Sequence, residues 1–387
     1  MLLRMSNVLR GTFATSEAAS HTSLRFTRAG ASLARLSTKT QATPRQQGGG
    51  GGRGGGGGGG SATGVTGPQQ FPFAFDPASG LPQLFDVDAN ICHEQLITDR
   101  EEHMQKAYHA GVASMLVPAS TAASAIEIQQ FVQSHTNTPS SSPLLPRVFT
   151  TAGIHPYEAS AELVDPTTLQ LITDIQTLRH LLTNHPDTVV AVGECGLDYS
   201  EGFPAQESQV RVFAAQVALA CELGRPLFLH VRKAFDDCFR ILDEHNNNSN
   251  SNSNNNNNLP PVIIHCFTGD VDDLRACLSR GYSLSVSGLI CRHEAGRGLR
   301  EALSRVRAEG LLDLTRVMVE TDAPYLGFKG CRDGYKKGAN RQNPNVPSAL
   351  PMVVEQLAKV LDVPPAELSL ASQRNASNFF GVTKSKK

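Results

Sequence analysis

The chain has 387 residues, 40% of them hydrophobic, and a formal net charge of −1. That is enough apolar content for a core of barrel size, and no apolar run approaches the roughly 20 residues of a membrane span. The eight cysteines are scattered with no CxxC pair, which points to reduced thiols and argues against a disulfide framework or a zinc ribbon.

The near-neutral total hides two unlike regions. Residues 1–46 hold seven basic residues and the single acid Glu17, leaving 28 basic and 35 acidic residues, a net of −7, in the remainder. This Arg- and Ser-rich start, almost free of acids, has the composition of an organelle transit peptide, with the mitochondrion as the expected destination. The alternative is an ordinary disordered tail. Residues 47–80 follow as a Gly-rich disordered linker, dominated by the run Gly48–Gly60 broken by Arg53. No strand precedes that run and no helix follows, so a phosphate-cradling loop is excluded. A second low-complexity stretch, Asn246–Asn258, reads as a disordered surface insert.

From residue 81 to 384 short apolar runs alternate with longer helical patterns. Strands are expected at Leu84–Asn90, Ala113–Ala119, Arg147–His155 and Thr188–Glu194, then at Pro226–His230, Pro261–Phe267, Tyr282–Gly288 and Arg316–Asp322. Segments between them, such as Glu207–Leu223, place apolar residues three and four apart. Eight such units predict an α/β fold, a (β/α)₈ barrel of the TIM type. In a barrel all strand ends of one polarity ring one mouth. There the sequence sets Glu194, His230, His265 and Asp322, with His155 beside them and Asp86, Asp88 and Asn90 on the first strand. One histidine at a strand end is most often a hydrogen-bonded core residue. Imidazoles and carboxylates at four equivalent ends are instead a mixed N/O set suited to Mg²⁺, Mn²⁺ or Zn²⁺, and metal-assisted hydrolysis is the class of chemistry that set supports.

The ordered motifs GECGLDY, LHVRKAFDD, IIHCFTGD, GLICR and VETDAPYL, with RQNPNVPSALP and NASNFFGV later, resemble the TatD family of metal-dependent deoxyribonucleases over about residues 84–382. The resemblance implies an amidohydrolase-type barrel with one or two divalent ions, Mg²⁺ foremost. It implies Glu194, His230, His265 and Asp322 as ligands, with Glu194 able to bridge two ions and Asp322 as general base toward a metal-activated water. His155 is implied at the substrate mouth, binding phosphate or protonating the leaving oxygen, against a structural role. Arg232, two residues past His230, would grip a phosphate or hold Glu194 or Asp198.

The chain departs from the family in its first strand, where Asp88, Ala89 and Asn90 stand in place of a frequent His-x-His. This makes Asp88 and Asn90 weaker ligands and puts full two-ion occupancy in doubt. It also has RQNP for RNEP at Arg341–Pro344. The basic stretch Phe328–Arg341 is expected to be a solvated face or a phosphate-contacting one, with Lys336 and Arg341 among its contacts and Tyr335 available for stacking. The implied activity is a 3′–5′ exonuclease on single-stranded DNA, and on RNA as an open alternative, acting as a monomer without membrane in DNA repair or DNA catabolism. A metal-dependent amidase or esterase on a small substrate, and a non-catalytic scaffold, are the competing readings.

Overall fold

The structure is a computed structural model that describes residues 71–75, 80, 82–136, 144–159, 169–247, 258–333, 335 and 344–382. The transit-peptide expectation, the glycine run, most of the Asn insert, and Lys336 and Arg341 lie outside these residues. Eight strands form one sheet in chain order: β1 (Leu84–Asp86), β2 (Val112–Val117), β3 (Arg147–Ala152), β4 (Val189–Asp198), β5 (Leu227–Arg232), β6 (Val262–Ile264), β7 (Ser283–Val286) and β8 (Val317–Val319). Every neighbouring pair is parallel. The helices α1 (Arg100–His109), α2 (Ala122–Thr136), α3 (Leu169–Asn184), α4 (Gln206–Leu223), α5 (Phe235–Asn247), α6 (Val271–Ser279) and α7 (Arg297–Ala308) fill the crossovers, and α8 (Leu350–Leu361) and α9 (Pro365–Phe379) follow β8. The fold is a (β/α)₈ barrel, built where β-branched runs are covered on both faces.

The two edges of the sheet meet beyond the regular ladders. Val87 donates its backbone N–H to Val319 (3.2 Å), Asp322 to Asp88 (2.9 Å) and Asn90 to Ala323 (2.8 Å). The buried Asp86 carboxyl adds bonds to Thr321 N (2.8 Å) and Oγ1 (2.6 Å). The seam therefore runs straight into the segments that carry Asp88, Asn90 and Asp322.

The lumen is filled by Phe85, Leu116, Phe149, Val190, Phe228, Ile263 and Met318, joined by Phe380 just past the end of α9. Phe380 lies 5.9 Å from Phe85 and 6.4 Å from Phe228, centroid to centroid. Phe228 in turn stacks under His265 at 4.8 Å, so packed rings support the site from below. All eight cysteines are free.

Within the stretch expected to be linker through residue 80, one part packs. Phe71 and Ala74 are buried in the main core, Ala74 O accepts from Gln83 N (3.0 Å), and Phe75 bridges Pro82. The reason is the run Phe71, Phe73 and Phe75, whose rings gain more from burial than the linker composition around them suggests.

Candidate metal centre

β4 supplies the central acid and does so by an unusual path. Its ladder does not stop at Glu194 but continues through Cys195, Gly196 and Leu197 to Asp198, which pairs with Arg232 of β5. A Cβ at Gly193 would collide with the carbonyl of Phe228, and Gly193 and Gly196 have φ of +156° and +138°. The Gly-Glu-Cys-Gly sequence thus lets the strand pass against β5 while presenting Glu194 to the mouth.

Three imidazoles converge on one oxygen. Glu194 Oε1 lies 2.7 Å from His265 Nε2, 3.2 Å from His230 Nδ1 and 3.3 Å from His155 Nε2. The remaining nitrogens differ in their surroundings. His230 Nε2 meets Asp198 Oδ2 at 3.0 Å. His265 Nδ1 faces Asp88 Oδ2 at 3.3 Å and Glu320 Oε1 at 3.7 Å. His155 Nδ1 accepts a bond from Tyr157 N at 3.1 Å, so a neutral His155 carries its proton on Nε2 and is a donor toward Glu194.

These contacts define two metal-competent groups that share Glu194: His155, Glu194 and His230, and Asp88, Glu194 and His265. Asp88 Oδ2, His265 Nδ1 and Glu320 Oε1 are buried without a hydrogen-bond partner. Orphaned buried polar atoms of this kind cost free energy, and a divalent cation is the group that would satisfy a set of carboxylate oxygens and imidazole nitrogens. The residues present fit such an ion. The Nε2 proton makes His155 the weaker contributor of the set.

Electrostatics follow from burial against pairing. Burial alone would raise Glu194, but the charges of His265 and His155 and the bonds from His155 and His230 hold it well below the usual carboxylate range. Burial opposes a charge on His265, yet the carboxylates of Glu194, Asp88 and Glu320 around it raise it well above an ordinary histidine. His230 is raised in the same way by Asp198 and Glu194. His155 is lowered, mainly by burial.

Asp322 stands outside both groups. Burial, then repulsion from Glu320, pushes its carboxyl up to about 8, and its Oδ2 lies 3.9 Å from Cys266 Sγ. Asp322 and Cys266 take φ of +55° and +44°, left-handed conformations that cost about 1–3 kcal/mol in non-glycine residues and gather at functional sites. Asn90 donates Nδ2–H to Asp88 Oδ1 at 2.9 Å and so steadies Asp88.

Arg232 is exposed and forms no ion pair with Glu194 or Asp198 among the described residues. The Asp198 carboxylate is taken by His230 and by Ser200 N (2.8 Å). Tyr335 is also committed elsewhere. Its ring lies 5.3 Å from His103, with the ammonium of Lys106 over it at 3.7 Å, and its hydroxyl meets Ser348 Oγ at 3.0 Å. It is not available to stack on a base.

Sequence reasoning missed two supporting features. Glu320 in VETD was passed over for its neighbour Asp322, although both are acids on one strand end. Gln209 and Gln216, two turns apart on α4, each grip both backbone groups of one site-bearing residue. Gln209 bonds Asp198 N (2.8 Å) and O (2.9 Å), and Gln216 bonds Ile154 N (2.7 Å) and O (3.0 Å). Two buried glutamines in an otherwise apolar helix face were the available signal.

A histidine–carboxylate cluster at the C-terminal mouth of a (β/α)₈ barrel, centred on one shared acid, is the equipment of a metal-dependent hydrolase. The chain belongs to the TatD related DNase family, whose model matches residues 85–381. The 3′-5′ ssDNA/RNA exonuclease TatD of Citrobacter rodentium is 32% identical over 300 residues, covering 78% of this chain and 98% of that protein. Its namesake in Pantoea ananatis is 33% identical, covering 77% and 100%. Among solved structures, the barrel is similar to a TatD homolog from Escherichia coli K12 (TM-score 0.60, 23% identity, 78% of this chain and 99% of that one). It is also similar to a TatD family hydrolase from Entamoeba histolytica (TM-score 0.61, 22% identity, 78% and 99%). At these identities the two structures speak to the fold.

Proposed function

We propose that the protein is a divalent-metal-dependent deoxyribonuclease that hydrolyses phosphodiester bonds from the 3′ end of single-stranded DNA, and of RNA. The observation that carries this reading is the convergence of His230, His265 and His155 on Glu194 Oε1. It occurs in a chain that spans nearly the whole length of relatives named 3′-5′ ssDNA/RNA exonuclease.

Glu194, His230, His265 and Asp88 would hold the ion or ions. The carboxylate share favours Mg²⁺ or Mn²⁺. When bound, the ion polarises a phosphoryl oxygen and lowers the pKa of a water. Asp322 would take the proton of the attacking water as general base. His155, neutral with its proton on Nε2, would donate a hydrogen bond to a phosphate oxygen or to the leaving oxygen. Asp198 fixes the ring of His230 through Nε2–H. Arg232, exposed and without an ion pair among the described residues, offers a guanidinium at the same rim for phosphate, and Lys336 and Arg341 are proposed as further phosphate contacts. Mitochondrial localisation rests on the composition of residues 1–46, and the chain is proposed to act as a monomer.

The test incubates the protein and its Asp322→Asn variant with 5′-labelled single-stranded DNA, with and without Mg²⁺. A metal-dependent ladder shortening from the 3′ end is expected, slowed about 10²–10⁴-fold in the variant. Glu194→Ala is expected to lose Mn²⁺ binding in calorimetry. DNA left intact by the wild-type protein sinks the function, and wild-type rates in Asp322→Asn sink its assigned role.

A further inference from the structure

Seven large hydrophobic side chains are exposed among the described residues, and the only aromatic ones are Tyr157 (37% exposed) and Tyr325 (43%). Both follow strand ends at the mouth. Tyr157 sits two residues past His155, its backbone N–H bonded to that ring. Tyr325 follows Asp322 by three residues. Burial, then the Asp322, Glu194 and Asp88 carboxylates, push its hydroxyl up to about 12, which places it close to the acidic side of the centre.

Each of these tyrosines is braced by a second ring. Tyr157 meets Phe203 edge-on at 5.4 Å and 86°, and Tyr325 meets His93 at 5.4 Å and 73°. Phe203 also lies 6.2 Å from His155 and 6.5 Å from His230, so the first pair continues directly from the Glu194 cluster. Edge-on bracing fixes a ring while leaving a face for something else.

Resting on the nuclease reading, we propose that Tyr157 with Phe203, and Tyr325 with His93, are two stacking surfaces that hold unpaired nucleobases on either side of the phosphodiester at the Glu194 cluster. The charge balance favours this ligand. Residues 47–387 carry a net −7, so the barrel lacks the basic surplus by which extended nucleic-acid interfaces gain affinity. Stacking supplies affinity without it, and it accepts every base because each has a π-face. A base paired within a duplex has its faces covered by its neighbours, so these surfaces select for single strands. Tyr335, the aromatic residue that the basic stretch offered for this task, is occupied by His103 and Lys106.

The experiment compares two oligonucleotides with 3′–5′ trimming as the readout, one normal and one whose last two nucleotides are abasic. The wild-type protein is expected to show a KM about a hundredfold higher on the abasic strand, the product of two tenfold stacking losses. Tyr157→Ala and Tyr325→Ala are each expected to raise KM about tenfold on the normal strand while adding little on the abasic one, the signature of coupling to the missing bases. Tyr157→Phe and Tyr325→Phe, which keep the ring, are expected to rescue the loss. A second readout needs no turnover: in EDTA, 2-aminopurine at the 3′ end is expected to be quenched on binding, and less so with the Ala variants. Equal KM on both strands, or Ala variants that raise KM equally on both, overturns the stacking surfaces and leaves the nuclease reading standing. A wild-type protein that trims neither strand overturns the nuclease reading, and the stacking proposal with it.

Discussion

His230 and His265 each lie between two carboxylates, and that arrangement decides when they can accept an ion. In the metal-free protein both nitrogens of each ring face acids, and both rings hold their protons above the ordinary histidine range. A ligand nitrogen must shed its proton, so metal affinity is expected to rise from pH 6 to pH 8 with protons released, as calorimetry in two buffers would measure. Stability of the EDTA-treated protein moves the other way. A raised folded pKa gives a stabilising contribution that is fully present below the unfolded value, about 6.5 for histidine, and is lost as pH climbs through the folded one. Asp322, raised to about 8, acts in the same direction between about pH 4 and 8. The thermal midpoint in EDTA is therefore expected to fall between pH 6 and pH 8, and Mn²⁺ to reverse the fall. A midpoint that rises in EDTA over that window would contradict the assigned pairings.

At the scale of elements, α4 does more than cover the sheet. Gln209 and Gln216 pin the ends of β4 and the segment after β3 from one helix face, so the positions of Asp198 and His155 depend on α4 being seated. Gln216→Leu leaves the buried N–H and C=O of Ile154 unpaired, at about 1–3 kcal/mol each. A lowered thermal midpoint with a fall in kcat is the expected result, read by calorimetry and the trimming assay. A lower midpoint with unchanged kcat would mean that α4 stabilises without positioning. All eight strands were legible because short apolar runs bounded by helical patterns need little context. Their ends were less so. Gly193 and Gly196 look like strand terminators, yet β4 runs through them because those glycines relieve contact with β5. The first strand leaves its ladder after Asp86 because the seam with β8 is made by side chains and single backbone bonds. The convergence of Glu194, His230, His265 and His155 could be anticipated from strand ends alone. The proton on His155 Nε2, the Asn90–Asp88 bond and the stacking of Tyr335 on His103 could not, because each depends on a partner set by packing.

For the molecule as a whole, the barrel begins earlier than composition suggests. A chain starting at Ser61 keeps Phe71 and Ala74, whereas one starting at Leu81 loses both. Losing a buried phenylalanine costs about 1.5–3 kcal/mol, so the shorter chain is expected to melt several degrees lower in a thermal scan. Equal midpoints would show that the Phe71–Phe75 segment contributes nothing to stability. The Asn-rich stretch lies on the connection from α5 to β6, which enters the barrel at the N-terminal end of a strand. Glu194, His230 and His265 face the opposite rim. Length and chemistry are thus free to drift independently. A lineage can lengthen the bottom loops by slippage of a simple repeat while selection on turnover acts on a separate set of residues. The same separation offers an engineer an attachment point for a tag or a tether on the connection that leads into the start of a strand, away from the strand ends that carry the reacting groups.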